Sequence, residues 1–467
     1  MSDATVRPEE IVAKAESLRS QLGSGFRDEM VKSLYDEAEQ IARRAVRTPA
    51  ARRADLEQTI DRLVTSPVFG LPIMLILLAI LIWITVSGAN IPSQWIATGL
   101  FWIEEQAAAL FTAWGMPWWI TGLAWHGVWR GLAWVVSVML PPMAIFFPSF
   151  TILEDLGYLP RVAFNLDWLY RKAGAHGKQA LTMAMGFGCN AAGVVSTRVI
   201  DSPRERLIAI LTNNFVPCNG RFPTLILLAS VFVAASFSPL FASLVAAGSV
   251  VGVVLIGVGF TFLMSWLLSR TVLKGEASAF TLELPPYRRP SIGRILYTSL
   301  IDRTIFVLWR AIQTAAPAGA IIWILGNIYV HGVSLAQHIA NFLNPFGVLL
   351  GLDGVILLAY VIAIPANEIV VPTMLMVYMG TGMMTDLPAL SELRTLLVVG
   401  HGWTMLTAIN LMLFSLLHNP CGTTILTIYK ETKSKKWAAL SVVITLGTAF
   451  LVTFITANVA RLLGWVV

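Results

Sequence analysis

Read from its N-terminus, the chain alternates short polar stretches with long apolar runs, and the length of those runs decides the fold class. Phe69–Val86 and Leu240–Leu268 are almost unbroken. A bilayer core takes about 20 apolar residues as a helix but only about 10, alternating, as a barrel strand, so runs of this length predict helices. Spans are expected near 69–88, 128–152, 207–235, 241–269, 306–329, 349–363, 395–417 and 438–463. Ahead of them, Phe26–Arg44 alternates acids and bases around Met30, Leu34, Ala38 and Ile41, the spacing of an amphipathic helix. A second short helix is expected over Ala51–Val64.

Two stretches do not fit a simple span. Leu181–Val199 is apolar, yet bases flank it on both sides and Gly186, Gly188, Cys189 and Asn190 interrupt it. Ala363–Met379 is apolar and carries Pro365, Asn367, Glu368 and Pro372. Both read as re-entrant or unwound elements. Such backbone survives at membrane depth only where it faces protein or a water-filled path.

Composition supports the membrane reading. With 56% hydrophobic and 13% charged residues, a soluble domain of 467 residues could not cover its apolar surface. The loops at 161–178, 198–206, 270–303 and 430–436 hold most of the Lys and Arg, which places them on the cytoplasmic side. That distribution accounts for the net charge of +6 without a nucleic-acid partner. Residues 92–125 hold Trp95, Trp102, Trp114, Trp118, Trp119 and Trp125 with almost no base, which predicts an external interfacial segment, and 331–347 lacks Lys and Arg and is placed outside. The first apolar run begins too late for a cleaved signal peptide, so the N-terminus is expected in the cytoplasm. Three cysteines, none in a polar loop, make no disulfide framework. No G-x-x-x-x-G-K-[ST] string occurs, hence no nucleotide site of that class is expected.

The chemistry concentrates in four strings inside apolar segments: Gly186 to Asn190, Val216 to Arg221, Pro365 to Glu368, and His418 to Thr424. In each, Pro or Gly frees backbone carbonyls beside an amide, thiol or carboxylate. A desolvated cation needs such donors to replace its water, and thiols bias the choice towards Fe²⁺, Zn²⁺ or Cu⁺ over Mg²⁺ or Ca²⁺. A lone thiol in an apolar helix is ordinarily a packing residue. Here all three fall at breaks. Glu368 costs about 2.5–3.5 kcal/mol in a span unless paired or wet, and its structural alternative is an ion pair with Arg221 or Arg310. Met374, Met376, Met379, Met383 and Met384 read as adaptable packing, and His401 and His418 have no partner at metal-site spacing. A weak internal echo links Pro217-Cys218 with Pro420-Cys421, and Cys189-Asn190 with Asn367-Glu368, as in transporters built from two related halves.

At these strings the chain resembles the membrane (Gate) domain of FeoB-type ferrous iron transporters. The matching text runs through Ile152–Tyr158, Gly186–Asn190, Thr197-Arg198, Arg204–Leu207, Pro217-Cys218, Leu273–Glu276, Leu284–Arg288, Glu368–Val371, Pro420-Cys421, Lys430–Thr432 and Lys436–Ala438, and covers roughly 55–465. The resemblance implies an all-α polytopic membrane protein with two Gate-like halves. It divides into a helical cytoplasmic segment (1–65), a first half (66–270), a cytoplasmic loop (271–305) and a second half (306–467). It implies Fe²⁺ import across the cytoplasmic membrane, no enzyme activity and no permanently bound cofactor. It nominates Cys189, Cys218 and Cys421 as metal ligands, supported by Asn190, Asn219 and Glu368.

Two departures matter. Proteins of this family usually begin with a GTPase domain and a helical regulatory domain, and residues 26–64 resemble only the end of the latter. The resemblance therefore implies either a separate GTPase subunit on the cytoplasmic side or a paralogue working without GTP; self-association into a homo-oligomer is compatible with both. Ala366-Asn367-Glu368 also stands where many relatives have a Lys directly before the Glu, which frees the carboxylate to meet a cation. Rival readings are transport of another divalent metal or a nucleoside, and a non-transporting subunit that docks a GTPase.

Overall fold

The computed structural model describes residues 26–45, 52–66, 68–275, 287–385 and 390–464, together with Lys14, Ser17 and Leu18. Residues 276–286 of the predicted cytoplasmic loop, with two of the matching strings, lie partly or wholly outside the described residues. The described chain is helical apart from one two-stranded ribbon, Tyr329–Val330 with Val333–Ser334. Among the described residues six helices are long and apolar enough to cross a bilayer: Gly70–Ala113, Trp118–Asp155, Leu244–Arg270, Val307–Asn327, Met405–Thr432 and Lys435–Leu462. A seventh span arises if Leu335–Leu349 and Gly354–Ile362, bent by 111°, count as one. The chain is an all-α, multi-pass membrane protein. Both expected N-terminal helices form, over Phe26–Ala45 and Arg52–Val64.

Several expected spans are drawn differently. The segment at 92–125 begins as a continuation of the first span, because Gly70–Ala113 runs as one helix of 44 residues straight through Pro92 and at about 1.5 Å per residue outruns a bilayer core of about 30 Å. A proline removes one helical hydrogen bond, and neighbouring helices absorb the loss. The stretch 207–235 is broken: helix Pro203–Thr212 ends, extended backbone follows from Val216, and helix resumes at Phe222. The stretch 395–417 is likewise interrupted between His401 and Thr404 before helix Met405–Leu417. Residues 349–363 form only the short second limb of the bent pair.

The frame is set by two helices in unusually close approach. Gly127 and Gly131 face Gly319, where a Cβ would stand 2.3 Å from the Gly127 carbonyl oxygen. Only small residues allow backbones this near, and in lipid such packing replaces the absent hydrophobic drive. The contact seats Trp118–Asp155 against Phe306–Asn327, and both helices then border the candidate site.

At the opposite end, the Arg52–Val64 helix is latched to the membrane portion. Arg161 is 1% exposed; its guanidinium donates to both Asp61 carboxylate oxygens at 2.9 and 3.2 Å, and to the Gly157 carbonyl at 2.7 Å. Tyr287 donates to Asp61 at 2.8 Å, and its ring lies 4.0 Å beneath the same guanidinium. Asn165 adds a bond to the Val64 carbonyl at 2.8 Å. Partial burial pushes the Asp61 carboxyl up, but its bonds from Arg161 and Tyr287 outweigh that and hold it below its ordinary value. A depressed carboxylate stabilises above its unfolded value and loses that contribution as pH falls through the folded one. Protection factors of the Arg52–Val64 amides, intrinsic rate over observed rate at each pH, should accordingly be flat from neutral pH down to pH 5 and fall below about pH 4. Asp61→Asn should show the reduced protection already at pH 7; equal protection in the two proteins would mean that Asp61 does not hold this helix.

Candidate metal path

The two halves break their helices in the same way. Helix Gln179–Gly188 stops at Cys189, which is extended at φ −154°, ψ 123°, and helix restarts at Asn190. In the second half, helix Gly354–Ile362 stops, Ala366 is extended at φ −151°, ψ 116°, and helix restarts at Asn367. The backbone thus pairs Cys189 with Ala366 and Asn190 with Asn367, one residue away from the register read in the sequence. A second break follows in each half. Pro217-Cys218 leads into helix Phe222–Leu228, and Pro420-Cys421 into helix Gly422–Thr432. Within each half the two breaks are stitched together. Asn219 N–H donates to the Gly188 carbonyl at 3.3 Å, and Gly422 N–H to the Ile364 carbonyl at 2.7 Å.

Between these breaks lies a cavity of about 40 Å³, and all six residues singled out in the sequence line it: Cys189, Asn190, Cys218, Asn219, Glu368 and Cys421. Met139, Met143, Gly188, Gly220, Pro365, Asn367 and Thr423 complete much of the wall. The three thiols are free and half-buried. Cys189 and Cys421 occupy helix N-caps, where the first helical N–H groups favour negative charge, and Cys421 Sγ lies 3.2 Å from Thr424 Oγ1. Among the described residues no group of three His, Cys, Asp or Glu side chains stands close enough to hold a metal together. The arrangement offers donors in succession along a wall and does not form a closed cage.

Glu368 is the carboxylate of this wall. Neither Arg221 nor Arg310 forms an ion pair with it among the described residues. Its backbone carbonyl accepts from Trp134 Nε1 at 3.2 Å, while its side chain lies against Gly220. Arg221 is committed elsewhere. Buried to 1% exposure, its guanidinium donates to the carbonyls of Asn214 and Leu416 at 2.8 Å, and of His418 and Asn419 at 3.1 and 3.3 Å, as well as to Asn214 Oδ1 at 3.3 Å. One cation therefore satisfies carbonyls freed at the second break of both halves.

The amides divide by role. Asn190 Nδ2 donates to Asn214 Oδ1 at 3.1 Å, and the Asn190 carbonyl accepts from Asn213 Nδ2 at 3.1 Å, which braces the first break. Asn214 Nδ2 donates to the His418 carbonyl at 2.8 Å and crosses between halves. Asn219 Nδ2, by contrast, is buried without a partner at the cavity wall. His418 is buried, with Nδ1 on the Ser415 carbonyl at 2.9 Å and Nε2 on the Asn367 amide at 3.2 Å; both ring nitrogens are occupied. Of the methionines weighed in the sequence, Met374, Met376 and Met384 are buried in packing, while Met139 and Met143 reach the cavity instead. At the basic end, Arg198 of the first half and Glu431 of the second form a two-pronged pair at 2.7 and 2.8 Å.

Comparison with known proteins gives a consistent picture. A family model described as Gate, nucleoside recognition, matches residues 136–232 and 308–435, the two stretches that hold the breaks. A second, described as ferrous iron transport protein B C terminus, matches 250–302. A Staphylococcus aureus protein named Fe(2+) transporter FeoB is 28% identical over 97% of this chain, which spans 67% of that relative's length. A Synechocystis protein of the same name is 29% identical over 90% of the chain and 66% of its own length. In Porphyromonas gingivalis, a protein named as a fusion of Fe(2+) transport protein A with FeoB is 28% identical over 87% of the chain and 52% of its own length. No solved structure matches.

Proposed function

Because this chain belongs to the FeoB-type family of Gate membrane proteins, we propose that it carries Fe²⁺ across the cytoplasmic membrane through the cavity between its paired helix breaks. The observation that carries this reading is the meeting of three thiols, an unpartnered amide and an unpaired carboxylate, drawn from both halves, on one cavity of about 40 Å³. A cavity of this size has room for an ion that has shed part of its water. Dehydration is offset by Glu368, the thiols, Asn219 and the carbonyls of the breaks. The fixed charge of Arg221 nearby opposes a second cation and keeps binding weak, as conduction requires. Rearrangement at Cys189 and Ala366, where helix gives way to extended backbone, would open the path on one side and then the other.

A nucleoside is disfavoured despite the description of the matching family model: small-molecule sites enclose about 300–1,000 Å³, far more than this cavity, and the larger cavity of about 640 Å³ beside Leu71, Phe146 and Phe262 has an almost wholly apolar lining that offers no set of partners to a base or ribose. The N-terminal helices would lie in the cytoplasm, where Arg52–Val64 and its Asp61 latch give a separate GTPase subunit a route to the membrane portion. The direct test is uptake of radioactive Fe²⁺ into vesicles, with Mn²⁺, Zn²⁺ and nucleosides as competitors. Glu368→Gln should lower uptake at least about tenfold, as loss of a charged ligand does, and Cys218→Ser and Cys421→Ser should lower it severalfold. Wild-type rates in all three variants would reject this path, and no flux in wild type together with a stable partner complex would favour a docking subunit.

A further inference from the structure

A second cluster of polar side chains lies outside the cavity, at the end of the Trp118–Asp155 helix remote from its Asp155 terminus. His126 Nδ1 stands 2.6 Å from Glu104 Oε1, and the Glu104 side chain is 3% exposed. Arg130 Nη1 is 3.6 Å from the same oxygen and 2.9 Å from Met383 Sδ. Three polar atoms here are buried without partners: Glu104 Oε2, Arg130 Nε and Trp125 Nε1. A buried carboxylate oxygen left unsatisfied calls for an explanation. His126 also lies within a π-helical turn, Gly122–Trp129, a form that costs regular hydrogen bonding and recurs at functional sites.

We propose that Glu104, His126 and Met383 form a separate divalent-metal site, with Arg130 as the resident cation that an incoming ion displaces. Carboxylate, imidazole and thioether together suit a borderline transition ion better than Mg²⁺ or Ca²⁺. The geometry is nearly in place. Two ligand bonds of about 2.1 Å at a right angle hold N and O about 3 Å apart, a few tenths of an ångström wider than the His126–Glu104 contact. Replacing Arg130 by the ion frees the Met383 sulfur as a third donor and gives Glu104 Oε2 a partner.

The cluster connects to the cavity. Arg130 lies 5.4 Å over the Phe101 ring, Phe101 packs on Trp134 at 6.3 Å, and Trp134 bonds the Glu368 carbonyl. As part of the same proposal, this site holds an ion ahead of its entry to the path. That role rests on the Fe²⁺ reading above; the metal site itself does not.

The test is Co²⁺ titration of the purified full chain, followed by visible absorption. A background with all three cysteines changed to serine removes the thiolate charge-transfer bands that the cavity would give. In that background Co²⁺ should still bind, Glu104→Gln and His126→Ala should each weaken it at least tenfold, and Arg130→Gln should tighten it. Arg130→Gln retains Glu104 and His126 and so reports even where a Glu104 variant folds poorly. Unchanged affinity in both His126→Ala and Arg130→Gln, or no binding in the background, overturns the site. In vesicles with the cysteines intact, Glu104→Gln should raise the KM for Fe²⁺ uptake and leave the maximal rate near wild type. Failure of wild-type uptake alongside the expected Co²⁺ results would reject Fe²⁺ transport and leave the metal site standing.

Discussion

Gly220→Ala should leave a folded protein that has lost at least nine-tenths of its Fe²⁺ uptake. A Cβ at this position would stand 2.3 Å from Glu368 Oε1 and 2.7 Å from its Cδ, closer than real Cβ contacts permit. The atom it meets is the far end of a side chain, so the carboxylate moves and the backbone stays. The cost of such overpacking is about 1–3 kcal/mol, within reach of a large helical protein. The carboxylate is thereby driven from its place on the cavity wall, an effect close to that of deleting it. Size-exclusion profiles and vesicle uptake on the same preparation check both halves of this expectation. A variant that folds and transports at the wild-type rate would show that the ion does not use Glu368 in this position.

Arg221→Met should have the largest effect on stability. It removes five hydrogen bonds from a charged donor and leaves buried carbonyls of Asn214, Leu416, His418 and Asn419 without that partner. Breaking a buried charged network of this kind costs about 3–5 kcal/mol, a large share of what a domain possesses. Arg221→Lys should recover only part, because a compact ammonium cannot span acceptors that the planar guanidinium reaches together. Thermal unfolding of the purified variants, read by aggregation in detergent, checks the order wild type, Lys, Met. A Met variant as stable as wild type would mean that water takes over these carbonyls.

The breaks were legible in the sequence because each interrupts an apolar run with Pro, Gly or an amide, residues that lipid-facing helix disfavours. The convergence of Cys189, Cys218, Cys421 and Glu368 on one cavity was only partly so. Their spacing shows that each sits at a break, whereas their meeting depends on how four helices cross. The echo was found but placed one residue off, since Cys189 corresponds to Ala366 in backbone conformation and shares no side-chain chemistry with it. Asn214 carries only a faint mark in the sequence, an Asn pair seven residues before a membrane-embedded Arg. Met139 and Met143 are not legible as cavity residues, because two methionines one helical turn apart carry no mark that separates a cavity wall from packing. The Asp61 latch joins residues 100 and 226 positions apart, and nothing local distinguishes Asp61 from other surface acids.

The bridging guanidinium also dictates an order of events during biogenesis. Arg221 and its acceptor Leu416 are separated by 195 residues. At synthesis rates of about 5–20 residues per second, Arg221 waits about 10–40 s for its second-half partners. Through that interval a cation sits in a half-built helical bundle, held only by the Asn214 acceptors of its own half. The first half therefore reaches the bilayer before it can close, and a nascent chain stalled between the halves should be a preferred substrate for membrane chaperones and quality-control proteases.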